Sequence, residues 1–316
     1  MKSPVCPLCE NREHEFCFSD SGYDLLACTQ CGLFFIDPYP KAGAVRERVS
    51  RWKPAQSSHV TPERHYRASL DGYSRHFPFI QGECQGAKSV LDVGCGTGRL
   101  LELLGQESAI HRVGIELNAD RAAFARSLLD CEVFQVPVEE FQYPSRFDVI
   151  TMVNVLSHVP RFDRLFSSIR SLLTDNGKLI IRTGELEPGI KRRACSNWGI
   201  PGHMHVLGVN TAEFIADKFG FDVVRHARQP LSVNRFSRGK WKAPGRTPLE
   251  GLLKQAVVMT PFALPLLRRT YDALYGKRIH SSFLVMSPSR SETSMPSPRR
   301  PTEADSKIAS LASERS

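Results

Sequence analysis

Apolar positions along this chain follow two alternating rhythms. From Val90 the sequence reads VLDVGCGTGRLL: an apolar run ends near Asp92, glycines alternate at Gly94, Gly96 and Gly98, and a helical stripe follows through Leu100, Leu101, Leu103 and Leu104. That predicts strand, tight turn, helix. Further strands are predicted at Arg112–Ile115, Cys131–Val136, Arg146–Val153, Gly177–Arg182, Phe221–Arg225 and Ser281–Met286, with helices over Ala119–Leu129, Leu165–Leu173 and Thr211–Phe219. Asn118 is placed to cap the first of those helices, and Asn176-Gly177 supplies a turn. Strand and helix in alternation predict a doubly wound, mostly parallel α/β sheet.

Outside that alternation the pattern changes. Tyr66, Leu70, Tyr73 and Phe77 recur at helical spacing ahead of the first strand, among the breakers Pro54, Pro62 and Pro78. The stretch from Thr183 to Val209 has no clear period and holds Trp198, His203 and His205. Long loops inside compact domains usually bind something. After Ser287 the chain is rich in Ser, Pro, Arg and Glu without an aromatic residue, which predicts a disordered tail.

The glycine loop carries the first chemistry. Glycine tolerates positive φ and lets a ligand approach the backbone, and the helix behind it aims unpaired N–H groups forward. Its pattern is D-x-G-x-G-x-G, not the G-x-G-x-x-G of dinucleotide folds. The second strand delivers Glu116 at its carboxyl end, beside the loop, where a carboxylate can accept hydrogen bonds from both ribose hydroxyls.

A separate chemistry opens the chain. Cys6-Pro-Leu-Cys9 and Cys28-Thr-Gln-Cys31 are two C-x2-C knuckles with 18 residues between them, the spacing of a zinc ribbon. Four thiolates close a tetrahedral site with no open position, so the role is structural. Phe16, Phe18, Tyr23 and Leu25 between the knuckles suit a short hairpin, and Cys17 is spare.

Composition adds limits. The 316 residues are 41% hydrophobic and 24% charged, ordinary for a soluble globular protein. No apolar run reaches the ~18 residues of a spanning helix, and no signal-peptide core opens the chain, which together predict a cytoplasmic protein. Residues 228–278 hold eleven basic side chains against two acids, a net +9 that equals that of the whole chain. Within that segment, Leu249–Leu267 is apolar but interrupted by Pro261 and Pro265. Basic ends around an apolar middle suit peripheral contact with an anionic membrane surface, an anionic acceptor or RNA; a helical cover packed on the sheet is the plainer alternative.

Asp92, Gly94, Gly96 and Gly98 match, position by position, the first motif of the class I S-adenosylmethionine-dependent methyltransferases, and the chain resembles that family. The resemblance implies a seven-stranded Rossmann-like sheet with an antiparallel edge pair. It implies that the loop, Cys95 included, cradles the methionine half of S-adenosylmethionine while Asp92 organises its surroundings. Glu139 or its neighbour then falls near the adenine amino group. The string NVLSH, Asn154 to His158, is similar to the family's segment bordering the methyl group, which places Asn154 at the cofactor and His158 at cofactor or substrate, a capping or packing role being equally open. PGHMHVLGVNTAEFIADKFGFDVV aligns with the segment before the sixth strand; His203 matches a family histidine, where a neutral imidazole near the acceptor can remove the proton as the methyl leaves sulfur, pinning of the loop by hydrogen bonds being the alternative, whereas the second family position falls on Val206 and His205 lies one place earlier. CGLFFIDPYP resembles the zinc ribbon ahead of the core in small-molecule and sugar methyltransferases.

The organisation expected is a zinc ribbon at 1–40, a helical cover at 41–87, a methyltransferase core at 88–286 with the basic insertion at 228–278, and the tail at 287–316. The activity expected is methyl transfer to a small-molecule acceptor, with a sugar or glycan-pathway intermediate leading. An RNA base methyltransferase and a cofactor-binding docking protein without turnover are the alternatives.

Overall fold

The computed structural model describes residues 3–50, 61–107, 109–190, 200–230, 247–260, 262–275 and 279–289. Trp198, Pro54 and the tail beyond 289 lie outside them. The glycine-loop strand β4 (Ser89–Val93) pairs in parallel with β5 (His111–Ile115) on one side and β7 (Phe147–Val153) on the other. β6 (Glu132–Phe134) extends the first side and β8 (Leu173–Leu186) the second. β11 (Ile279–Pro288) runs antiparallel on β8 and is covered in turn by β10 (Phe221–Pro230). These seven strands form the predicted sheet with its antiparallel edge pair.

Alternate residues of each strand feed two cores. Val90, Val149 and Ile180 face one side with Leu100, Leu101 and Leu104 of α3 (Arg99–Glu107), Ala122 and Ala125 of α4 (Ala119–Leu128), and Phe77 and Ile80 of α2 (Pro62–Glu83). Leu91, Ile150, Met152 and Ile181 face the other, against Leu165, Phe166 and Ile169 of α5 (Phe162–Leu172) and Ile215 of α6 (Thr211–Phe219). Period-two burial on both faces is what a parallel sheet with helices on each side requires. Asn118 caps α4 through its side-chain oxygen, which accepts from Arg121 N at 3.1 Å. Pro78, expected to break the helix, lies inside α2. Phe77 and Ile80 bury beside it, and that packing offsets the backbone hydrogen bond proline cannot make.

The N-terminal strands β1 (His14–Asp20), β2 (Tyr23–Cys28) and β3 (Phe34–Asp37) form an antiparallel meander. It joins the main sheet rather than standing apart. β8 begins at Leu173, four residues before the predicted start, and runs past the end of β7 to Leu186, where it pairs with a short strand β9 (His205–Gly208). β9 pairs on its other side with β3, so that among the described residues the sheet has eleven strands. The supposedly irregular stretch from Thr183 to Val209 thus contains the end of one strand and all of another. A four-residue strand carries too short an apolar alternation to be seen in sequence.

α1 (Ala42–Ser50) follows the meander, and the basic segment contains α7 (Pro248–Met259) and α8 (Ala263–Tyr275). No helix among the described residues is long and apolar enough to cross a membrane.

Candidate active site and metal centre

The loop after β4 turns because its glycines permit it. Gly94, Gly96 and Gly98 have φ of 72°, 58° and 83°. At Gly94 an added Cβ would lie 2.4 Å from Val155 Cγ2, and at Gly98 one would lie 2.5 Å from Leu129 Cδ1, so both glycines let the loop pack down. Gly96 differs. Its missing Cβ faces nothing within 4 Å, leaving a backbone cradle open on that side. Gly94 N and Cys95 N both donate to Ile115 O, at 2.7 and 3.0 Å, which ties the loop to the end of β5. The Cys95 thiol points back beneath Gly114 and is buried, which pushes its pKa well up.

Glu116 is buried at that strand end. Its Oε2 accepts from Gly96 N at 2.9 Å and its Oε1 from Asn118 N at 2.7 Å. The carboxylate is therefore fixed against the open glycine, with a further lone pair on each oxygen. Asp92 lies deeper, 1% exposed. Thr151 Oγ1 donates to Asp92 Oδ1 at 2.7 Å, while Oδ2 has no hydrogen-bond partner among the described residues. Burial raises the carboxyl to about 7, the Thr151 hydrogen bond opposes that rise, and the Glu116 charge adds to it. An orphaned buried carboxylate oxygen is costly unless something polar or cationic completes it.

Asn154 closes the far side. It adopts a φ of 60° at the end of β7, its N–H donates to Arg182 O at 2.8 Å, and its side-chain oxygen accepts from the Arg182 guanidinium. Glu139 sits on a 3-10 turn (Val138–Glu140) after β6, half-buried; its neighbour Glu140 is paired with Arg46 of α1 at 2.7 Å. Asn118 Nδ2 also reaches Ser50 O at 3.1 Å and Arg48 of α1 reaches Pro201 O at 2.9 Å. α1 is thus strapped across three loops at the carboxyl end of the sheet.

The two histidines singled out in the sequence meet. His158 ends a 3-10 turn (Leu156–His158), and its ring centroid lies 4.6 Å from that of His203. His158 Nδ1 donates to Gly202 O at 2.7 Å, so that nitrogen carries the proton and Nε2 keeps its lone pair. His203 Nδ1 bonds Ser157 Oγ at 2.8 Å. Burial lowers both pKa values; His203, which also faces His158, falls to about 4. His205 is different. It is 1% exposed, its Nε2 donates to Leu156 O at 2.8 Å, and its Nδ1 accepts from Tyr39 Oη at 2.9 Å. Burial depresses it to about 3, and both its nitrogens are engaged, Nε2 on the turn before His158 and Nδ1 on Tyr39.

The partners Thr151, Ser157 and Tyr39 were not legible in sequence. Each is an ordinary polar residue whose role depends on a neighbour in another part of the chain. Ser157, adjacent to His158, and Tyr39, within the string CGLFFIDPYP, stood in quoted segments without a role of their own.

The four cysteines of the knuckles converge. Their sulfurs lie within 4.8 Å of one another, with Cys6 and Cys31 Sγ 3.6 Å apart and Cys9 and Cys28 Sγ 3.4 Å apart, and all four are free thiols. Tetrahedral zinc with thiolate bonds of about 2.3 Å separates sulfurs by about 3.8 Å. The donor set fits zinc, and each knuckle closes with a left-handed residue, Glu10 at 65° and Gly32 at 72°. The ribbon is clamped to α6: Thr211 Oγ1 donates to Cys31 O at 3.0 Å and Lys218 Nζ to Leu8 O at 2.6 Å. Gly208 lets it approach, since a Cβ there would lie 2.0 Å from Gly32 O.

A parallel core sheet with one antiparallel strand, β11, set between β8 and β10, a glycine loop after its first strand and a carboxylate ending the second is the architecture of the class I S-adenosylmethionine-dependent methyltransferases. Residues 63–226, more than half of the sequence, match a family model described as a methyltransferase domain, and the chain belongs to that family. A ubiquinone biosynthesis O-methyltransferase of Histophilus somni (strain 2336) is 37% identical over 118 residues, 33% of this chain and 49% of that protein. Another, of Idiomarina loihiensis, is 30% identical over 141 residues, 41% of this chain and 55% of that protein. The chain spans about half the length of the curated relatives it matches. In fold it is similar to geranyl diphosphate C-methyltransferase from Streptomyces coelicolor A3(2), with a TM-score of 0.55 and 14% identity over 79% of this chain and all of that one.

Proposed function

We propose that the protein binds S-adenosylmethionine in the cradle at Gly96 and transfers its methyl group to a hydroxyl oxygen of a small-molecule acceptor. The observation that carries the cofactor half is the open glycine beside the fixed Glu116 carboxylate, within a family built to use it. Glu116 accepts from the ribose hydroxyls through its remaining lone pairs. Gly94 and Gly98 shape the loop, and so does Cys95, whose thiol and N–H are turned into the fold. Asp92, with its orphaned oxygen, balances the positive charge of the donor, and Asn154 borders it from β7. Glu139 flanks the adenine side from the turn after β6.

The bound cofactor supplies an activated methyl on a sulfonium, so the protein's tasks are approach geometry, exclusion of water and removal of one proton. A hydroxyl acceptor would have to give up its proton in that transfer, and a side chain of this protein has to receive it. His158 takes it. The hydrogen bond to Gly202 fixes its tautomer, and burial keeps the ring neutral near pH 7. His203 packs against that ring and holds its orientation through Ser157.

Support for oxygen as the methylated atom comes from the names of the relatives, ubiquinone biosynthesis O-methyltransferases. Those names lend nothing to the sugar or glycan intermediate expected from the ribbon resemblance. Zinc at Cys6, Cys9, Cys28 and Cys31 completes a structural ribbon.

Incubation with methyl-labelled cofactor and fractionated extract tests the reading. Label in an alkali-stable, small-molecule ether supports it; label in RNA moves the protein to the base methyltransferases, and cofactor binding with no labelled fraction makes it a docking protein. His158→Gln should cost at least a hundredfold in kcat with cofactor affinity unchanged.

A further inference from the structure

Helix α7 is built inside out, and α8, though it buries Leu264, extends the same exposed face. A surface helix normally turns its apolar stripe to the core. On α7 the large apolar residues face solvent: Leu249, Leu252, Leu253 and Met259 are 68%, 65%, 59% and 80% exposed. At 100° per residue these four positions, with the exposed Ala256 between them, occupy one arc of about 120°. The stripe continues through Phe262 and into α8 at Leu266, 83% and 64% exposed, and α8 packs on α7. Elsewhere among the described residues, large exposed apolar side chains are scattered singly, as at Val5, Phe16 and Leu128. A contiguous apolar face of this kind marks an interaction surface.

Charge narrows the partner. The segment 228–278 that contains both helices carries eleven basic residues and two acids in sequence; among its described residues Arg228 is bound to Glu185, while Arg268 and Arg269 lie on α8. Arg269 shares the exposed face of α8 with Leu266. Lys254 is paired within α7 to Glu250 at 2.9 Å, a pair that adds no net charge to that helix. A second copy of the chain would set +9 against +9, which disfavours self-association through this face. A bilayer surface with anionic headgroups meets both features, the apolar stripe suiting the acyl boundary while Arg269 and the segment's net positive charge favour the phosphates.

Topology gives the contact a direction. The segment leaves β10 at Pro230, registered opposite His280, and returns at Ile279, registered opposite Leu186 at the carboxyl end of β8. The glycine loop leaves the carboxyl end of β4, which runs parallel to β7 and thus to β8. The exposed helices therefore emerge from the same end of the sheet as the candidate active site.

We infer that α7 and α8 dock the enzyme on an anionic membrane surface, with the cofactor-binding end of the sheet toward the lipid. The inference goes beyond methyl transfer and does not depend on the acceptor. Flotation of the full chain with phosphatidylcholine vesicles, with and without phosphatidylglycerol, tests it. The expected result is binding to the anionic vesicles only, weakened at least tenfold by the combined Leu252→Ser, Leu253→Ser, Phe262→Ser and Leu266→Ser variant, and weakened by Arg269→Glu. Calorimetric cofactor binding, expected unchanged in each variant, reports that the core is folded. Equal flotation of wild type and the serine variant overturns the inference, as does wild-type protein that fails to float. A wild-type dimer that the serine variant converts to monomer assigns the face to self-association and overturns it too.

Discussion

Replacing Gly96 by alanine separates the cofactor cradle from the rest of the loop. At a φ of 58° a side-chain residue pays roughly 1–2 kcal/mol for the left-handed conformation. The narrower unfolded ensemble of alanine returns about 0.4–1 kcal/mol. The new Cβ meets nothing within 4 Å, so no packing term is added. The net cost is about 1 kcal/mol, a fall of roughly 2–4 °C in Tm for a domain of this size. Gly94→Ala and Gly98→Ala are not comparable, because their Cβ atoms would collide with Val155 and Leu129 and the loop would have to lift. If the space beside Gly96 belongs to the cofactor, the methyl group overpacks it at about 1–3 kcal/mol, which weakens binding about 5- to 150-fold. Titration calorimetry with S-adenosylhomocysteine, beside a thermal melt, reads both numbers. Affinity within twofold of wild type, with the small Tm loss present, would show that the space is not the cofactor's.

Three further outcomes follow from the ribbon and the buried titrating groups. Gly208→Ala drives a Cβ to 2.0 Å from the Gly32 carbonyl, a backbone atom that cannot swing away, so the ribbon should lift from β9; a Tm loss of several degrees and faster amide exchange at residues 204–207 are expected, with cofactor affinity kept. Removing zinc by a strong chelator should act in the same place, because β3 pairs with β9 and Ile36 N bonds Met204 O at 3.0 Å: exchange protection at 204–207 falls and acceptor turnover drops, while calorimetry still detects cofactor binding. In acid, His203 and His205 are held neutral in the fold, at about 4 and about 3, so the stability they contribute is complete above their ordinary pKa of 6.5 and declines as pH falls toward those values. Asp92, raised to about 7, acts in the opposite sense, contributing stability at low pH that is lost as pH rises through 7. Chemical denaturation across pH 4 to 8 should therefore show a flatter acid limb for His205→Gln and a steeper one for Asp92→Asn.

The local pattern of the sequence was enough for the sheet's order of elements, the glycine loop, Glu116 and the four cysteines. Each is written in short-range signals: apolar period, glycine spacing, a strand-end carboxylate, paired C-x2-C turns. The chain could not reveal in the same way that β8 runs on to Leu186, that four residues of β9 join ribbon to core, or that His158 and His203 lie against each other. Those features rest on pairings between segments as far apart as Phe35 and His205, or Tyr39 and His205, whose residues are individually unremarkable. Likewise Leu249 to Leu267 read as an apolar middle between basic ends, open to a membrane, an anionic acceptor, RNA or a packed cover; which side of each helix faced water was settled by packing. Residue types and spacing determine what chemistry a segment can offer, and only the folded arrangement decides which segments meet and which apolar faces are left without a partner.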